Sequence, residues 1–408
     1  MTAVTHAVAA VARGREREHR RLALALYTAM NVAMRGGLAV LGVFVATDLR
    51  WSASATAGLV AYATLVMRFG RTLAAPAVGR LGTRTATVWS FGAVATGYVA
   101  LTAATAPLAW LGITLVGVGY GTCLLSLKLS LLTGGGTDTA RGLGLLAVAV
   151  NVGAAVGPLL SGVLLHVAGG RVDFLVLAAV SALGAIVAAA RLASPPGERE
   201  RAASGGAGWW AALRHGRVAG LLAVVVVAFV MYAQLYGALP LLVHERLDSD
   251  ALLGVVFAVN AVTVMLLQLP ISGLAARVPA AHRYGCAAGL TLFAVAFAVL
   301  ARADDVPTLL AAVVVASAAE CLLLPLVETD LASTLGAAAL AVAFTLSATA
   351  MGVGESLGSF LGVRYVLADP ATGRDYLFAL AVVAVVTAAV DAALSGRLHT
   401  GRPAEASS

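Results

Sequence analysis

The 408-residue sequence predicts an all-α polytopic membrane protein with about twelve transmembrane helices in two pseudo-symmetric six-helix bundles. Three observations carry that prediction. Hydrophobic residues make up 60% of the chain, charged residues only 12%, and mean hydropathy is +0.93, whereas a soluble domain carries about 25% charged residues. Apolar runs long enough to cross ~30 Å of hydrocarbon recur along the whole length. A glycine spacing in the first half returns in the second.

The runs lie near 22–47, 53–78, 85–105, 107–133, 143–167, 173–193, 217–243, 251–275, 284–302, 306–328, 336–363 and 374–395. Residues 1–21 form a charged tail (Arg13, Arg15, Arg17, Arg20, Arg21) that leads into the first span with no small-residue cleavage site, so that span is an uncleaved anchor. The third and fourth spans abut at Ala106-Pro107, where the proline and the length set the boundary. After the sixth span, the polar stretch Ser194 to Gly216 contains Pro195-Pro196 and Ser204-Gly205-Gly206 and reads as a linker. The expected organisation is therefore a tail 1–21, a bundle 22–193, a linker 194–216, a bundle 217–395 and a tail 396–408.

Basic residues orient the spans. With the N-terminus inside, 17 of the 27 Lys and Arg fall on the cytoplasmic side, 6 on the other, and Arg35, Arg68, Arg71 and Lys128 lie within spans. The positive-inside rule then places both termini in the cytoplasm. The net charge of +7 comes mainly from these loop arginines, so the partner is the lipid bilayer and not nucleic acid. Cys123, Cys286 and Cys321 all sit in apolar runs without metal-ligand spacing. Gly134-Gly135-Gly136 lacks the Lys-Ser/Thr of a phosphate loop and reads as a connector. No metal, cofactor or enzyme active site is expected.

The fifth span contains Asn151-Val-Gly-Ala-Ala-Val-Gly-Pro-Leu-Leu-Ser-Gly162. Gly153 and Gly157, one turn apart, let a neighbouring backbone approach, and Pro158 removes a helix donor. The pair recurs as Gly354 and Gly358 on the eleventh span, offset by 201 residues. Pro76-Ala-Val-Gly79 and Pro270-Ile-Ser-Gly273, ending the second and eighth spans, are a second echo. Both argue for duplicated halves.

These features resemble the major facilitator superfamily. The fifth-span segment is similar to the gxxxGPxxGG signature of its drug:proton antiporters, with Ser161-Gly162 in place of the final Gly-Gly. Gly79-Arg-Leu-Gly-Thr-Arg84 resembles the family's G-x-L-a-D-R loop, with Thr83 where Asp is usual. Gly117-Val-Gly-Tyr-Gly121 matches the glycines of the R-x-x-x-G-x-G pattern, with Ile113 in place of its arginine, and Arg141-Gly-Leu-Gly144 resembles the start of the fifth span. Ala319-Glu320 followed by Pro325 is similar to a tenth-span pattern of efflux members. The resemblance implies a cytoplasmic gate at Gly79, Arg80, Arg84 and Arg141, and a conformational role for Gly153, Gly157, Pro158, Gly354 and Gly358.

An intramembrane charge costs about 2.5 kcal/mol or more at mid-span unless it is paired or hydrated, so the charged residues locate the chemistry. Tyr27, Asn31 and Arg35 recur every four residues and form one inward stripe; Arg68 and Arg71 lie on the second span. Arg35 and Arg68 either meet the substrate or form fixed ion pairs between helices, and for Arg71 and Lys128 the alternative is snorkelling to the cytoplasmic interface. Glu320 and Glu355 are the proton-coupling candidates, because a carboxyl in low dielectric takes up a proton more readily than one in water. Either could instead neutralise a facing arginine. Tyr232, Gln234 and Tyr236 on the seventh span, with Asn260 and Gln268 on the eighth, line a cavity or serve as interhelical glue.

The expectation is a secondary transporter, working as a monomer with protons and a small organic substrate, and exporting it by alternating access across a cavity between the halves. Cations in the first half favour an anionic or zwitterionic substrate. The alternatives are an importer or facilitator of a small nutrient on the same fold and, with less support, a polytopic membrane enzyme. Alanine and arginine richness with a single lysine points to a bacterial plasma (inner) membrane.

Overall fold

The computed structural model describes residues 2–131, 137–192, 216–247, 250–335 and 340–400, which are helical with short turns and contain no strand. The helices are α1 (Thr2–Thr47), α2 (Ala53–Leu81), α3 (Thr83–Thr102), α4 (Ala106–Leu131), α5 (Thr137–Ala168), α6 (Gly170–Arg191), α7a (Gly216–Tyr232), α7b (Ala238–Leu247), α8 (Asp250–Arg277), α9 (Pro279–Leu300), α10 (Val306–Leu335), α11 (Leu340–Val366) and α12 (Pro370–Thr400). Counting the two pieces of α7 as one, twelve helices occupy the expected positions among the described residues. Eight are long and apolar enough to cross a membrane among the described residues. Large exposed apolar side chains such as Leu266 and Leu269 on α8 and Leu183 and Ile186 on α6 suit lipid and not water. The chain is a multi-pass membrane protein.

Local chemistry explains the ends. The Ser52 hydroxyl accepts from Ala55 N (3.3 Å), Asp305 from Thr308 N (2.7 Å) and Asp369 from Thr372 N (2.9 Å), capping α2, α10 and α12. These hydrogen bonds hold the Asp305 and Asp369 carboxyls below the usual carboxylate range. Gly82 and Gly169 precede α3 and α6 at φ 76° and 83°, a conformation that costs glycine little. Pro107 lies in the first turn of α4, where its missing donor is not needed.

Two boundaries differ most from expectation, while α5, α9, α10 and α12 run several residues past their expected bounds, α12 to Thr400 in the expected tail. α1 starts at Thr2 instead of near 22 because residues 2–21, rich in Ala, Arg and Glu and without proline, extend the helix. The seventh span is broken: α7a stops at Tyr232, a 3-10 turn covers Ala233–Leu235, and α7b resumes at Ala238. Pro240 supplies no backbone donor and Gly237 carries no side chain, so helical hydrogen bonding lapses there. The linker 194–215 and Gly134-Gly135-Gly136 lie outside the described residues.

The chain divides into two compact units, Met1–Leu49 with Tyr62–Ser204, and Arg50–Ala61 with Gly205–Ser408. In the first, α1 packs on α5 and α6, and α3 on α4 and α6. Phe44, Phe91, Tyr98 and Phe174 are fully buried there, and Phe44 meets Phe174 edge-on at 4.8 Å. In the second, α7a packs on α11, α9 on α10 and α12, and α8 on α10. The pairs α1 with α5, α3 with α4 and α3 with α6 thus have counterparts six helices later, so the duplicated glycine spacing reflects duplicated packing. Ser356 on α11 donates to the Ala61 carbonyl (2.9 Å), holding the start of α2 in the second unit.

Candidate functional site

The break in α7 opens one wall of a cavity inside the second unit. Its polar lining is Tyr232 and Gln234 from α7, Asn260 from α8 and Glu320 from α10. Phe293 and Phe297 of α9, stacked at 5.9 Å, form an apolar wall. Both amides are held. Gln234 Nε2 donates to Val230 O (2.7 Å) and, across to α11, to Gly358 O (3.0 Å), which fastens the break in place. Asn260 Nδ2 donates to Ser317 Oγ (2.9 Å), whose proton goes to Val313 O (2.7 Å). Glu320 stands about one turn beyond Ser317 on the same helix, half-buried. The arrangement presents one carboxyl, one phenol and two amides in an otherwise apolar wall, the composition of a small-molecule site.

Tyr236 is not part of that lining. It is buried and stacks on Phe257 at 5.1 Å, so it supports the wall from behind. Glu355 is buried on α11 but does not line the cavity either; the two candidate carboxyls occupy different environments.

In the first unit the fifth-helix motif is a backbone crossing with α1. A Cβ built on Gly153 would lie 2.5 Å from Asn31 Cβ, one on Gly157 2.8 Å from Gly36 N, and one on Gly36 2.5 Å from Ser161 Oγ. No side chain fits at these positions without separating the helices. The echo does the same work: a Cβ on Gly358 would lie 2.5 Å from Val230 O of α7a, and Gly354 meets the Val226 carbonyl still more closely. Pro158 is buried within α5, which continues through it. Helices α2 and α8 likewise run through Pro76 and Pro270.

Asn31 is fully buried, donates to Tyr27 O (2.8 Å) and accepts from the Tyr120 hydroxyl on α4 (3.1 Å). Tyr27 is buried beside it, and Arg35 and Arg68 are half-buried. Asn31 thus ties α1 to α4. Tyr120→Phe leaves the Asn31 carbonyl oxygen without that donor and is expected to cost about 1 kcal/mol, read as a lower melting temperature in detergent; an unchanged melting temperature contradicts the tie. The gate candidates are less fully placed. The Arg84 guanidinium donates to Ala189 O in the last turn of α6, a C-terminal cap inside the unit. The side chains of Arg71, Arg80 and Arg141 lie outside the described residues, as does the surroundings of Gly79. Ile113 is buried, and Lys128 is exposed in the last turn of α4.

Sequence reasoning missed Asp173. It is fully buried near the start of α6 although it sits at the edge of an apolar run, where a carboxylate is usually hydrated. Its helical face carried the signal, since Asp173, Leu177, Ser181 and Ala188 are all buried on α6. Among the described residues no group of three or more His, Cys, Asp or Glu side chains is placed to hold a metal.

The sequence model of the Major Facilitator Superfamily matches residues 24–359. No curated protein matches the chain. Among solved structures, it is similar to peptide transporter POT in complex with sulfate (TM-score 0.78, 14% identity, covering 93% of this chain and 95% of that one). A POT family transporter in complex with 5-aminolevulinic acid is comparable (0.77, 14%, 93% and 96%). The human organic anion transporter TETRAN is more distant (0.60, 17%, 91% and 99%). At these identities the likeness is one of fold.

Proposed function

The chain belongs to the major facilitator superfamily, and from that premise we propose that it couples export of a small organic molecule to proton entry by alternating access. The single observation that carries this reading is the cavity of the second unit, where Glu320 shares a mostly apolar wall with Tyr232, Gln234 and Asn260. A carboxyl there can hold a proton or interact with substrate, and exchange one for the other. The fifth-helix pattern, which resembles the antiporter signature, supports export over import. Both termini then face the cytoplasm of a bacterial plasma membrane, the protein works as a monomer in the bilayer, and residues 22–193 and 217–395 are its two bundles.

Arg35 and Arg68, on the first unit, favour a substrate with anionic or zwitterionic character. Arg68→Ala is expected to weaken binding of an anionic probe by about tenfold or more, the effect of one lost charge-assisted contact, with the melting temperature unchanged. Lower stability with unaltered affinity would assign Arg68 to the scaffold. The direct test is transport by purified protein in liposomes, with and without an imposed pH gradient. Labelled oligopeptides, 5-aminolevulinic acid and organic anions are apt probes because proteins of similar fold are described with such compounds. Proton-driven extrusion supports the proposal; movement in the same direction as protons identifies an importer, and movement indifferent to pH a facilitator.

A further inference from the structure

We propose that Asp173 is a second proton-binding carboxyl, distinct from Glu320, seated with Ser161 between α5 and α6 of the first unit. Asp173 and Ser161 are both fully buried, and neither the two carboxyl oxygens nor the Ser161 hydroxyl makes a well-formed hydrogen bond. An ionised carboxylate in that position loses its hydration and has only the facing Ser161 hydroxyl to offset the loss. A neutral acid does not. It needs only one acceptor for its O–H, and the Ser161 hydroxyl is the polar group that faces it.

The neighbouring elements supply no alternative. From α3, Tyr98 lies close enough to be influenced by Asp173, but its hydroxyl proton is committed to Ala33 O at 2.8 Å. From α1 come the Phe44 ring, packed on the adjacent Phe174, and Asp48, whose carboxyl lies 3.1 Å from the position of a Cβ on Gly170. From α5, besides Ser161, the one titratable group at this end is His166, which is exposed; on α6 itself Arg171 is exposed too. Among the described residues no basic side chain acts on Asp173.

Ser161 connects this pair to the moving part of the reading above, although the proposal does not depend on it. The hydroxyl occupies the space left by the missing side chain of Gly36, at the same crossing that Gly157 closes. Releasing the proton means breaking the Asp173 O–H bond with the proton passing to water, and water reaches the carboxyl only if the helices part at the α5–α6 end. Protonated Asp173 therefore favours the closed crossing of α1, α5 and α6, and its ionisation favours an open one.

Infrared spectroscopy of the full chain in liposomes at neutral pH tests this through the carbonyl stretch of protonated carboxyl groups. Asp173→Asn is expected to lose one such band that persists in Glu320→Gln and Glu355→Gln. If the asparagine variant does not fold, Ser161→Ala provides the test, because removing the facing hydroxyl should shift the same band to the frequency of a less hydrogen-bonded acid. A wild-type spectrum that is unchanged by Asp173→Asn, or by Ser161→Ala, overturns the proposal. Neither result bears on Glu320, whose role is read from transport.

Discussion

Gly157→Leu is expected to stop transport while the protein still reaches the membrane. The position has no room: a Cβ there already falls within van der Waals contact of the Val32 carbonyl and 2.8 Å from Gly36 N. A leucine forces α1 and α5 apart, and overpacking of this kind costs about 1–3 kcal/mol, occasionally more. Charged against one conformation only, that cost depopulates it about ten- to hundredfold, enough to trap a transporter that must visit it every cycle. Gly358→Leu creates the equivalent overlap with Val230 in the second unit and should act in the same way. The measurement is substrate flux per protein in liposomes, normalised to correctly folded material. Wild-type turnover in a well-expressed Gly157→Leu protein means that the crossing is ordinary packing that can be relieved elsewhere.

Glu320→Gln is expected to abolish transport driven by a pH gradient and to leave substrate exchange measurable. Glutamine keeps the volume and a carbonyl acceptor in the cavity wall but cannot titrate, so binding and coupling separate. Glu355→Gln should have the weaker effect, since Glu355 is buried on α11 and is absent from the cavity lining. Undiminished pH-driven flux in Glu320→Gln removes this residue from the coupling mechanism. Failure of exchange as well would instead identify Glu320 as a substrate contact.

Much of the architecture was legible because the bilayer imposes a length. A helix must satisfy its own backbone polar groups in hydrocarbon, so each span announces itself as an apolar run, and α4, α6 and α8 begin within a few residues of their expected starts. The glycine echo was equally readable, since Gly153 and Gly157 and then Gly354 and Gly358 mark where α1 and α7a are approached. The break in α7 was not anticipated, although Gly237 and Pro240 mark it, because either residue alone is tolerated within a membrane helix. Asp173 escaped notice for a different reason: the edge of an apolar run does not distinguish a hydrated carboxylate from one covered by α1, α3 and α5.

By itself, then, the sequence determined which segments are helices, that they come in two related sets, and where backbones approach closely, since all three follow from local composition and spacing. The membership of the site was decided only by tertiary structure. Tyr232, Gln234, Asn260 and Glu320 come from three helices separated by up to 88 positions, and they share a wall because α7, α8 and α10 turn those faces toward one space. Tyr236 and Glu355 looked equivalent in the sequence and lie outside that lining. A polar residue in an apolar run needs a partner or water, and only the packing of distant helices decides which of the two it meets.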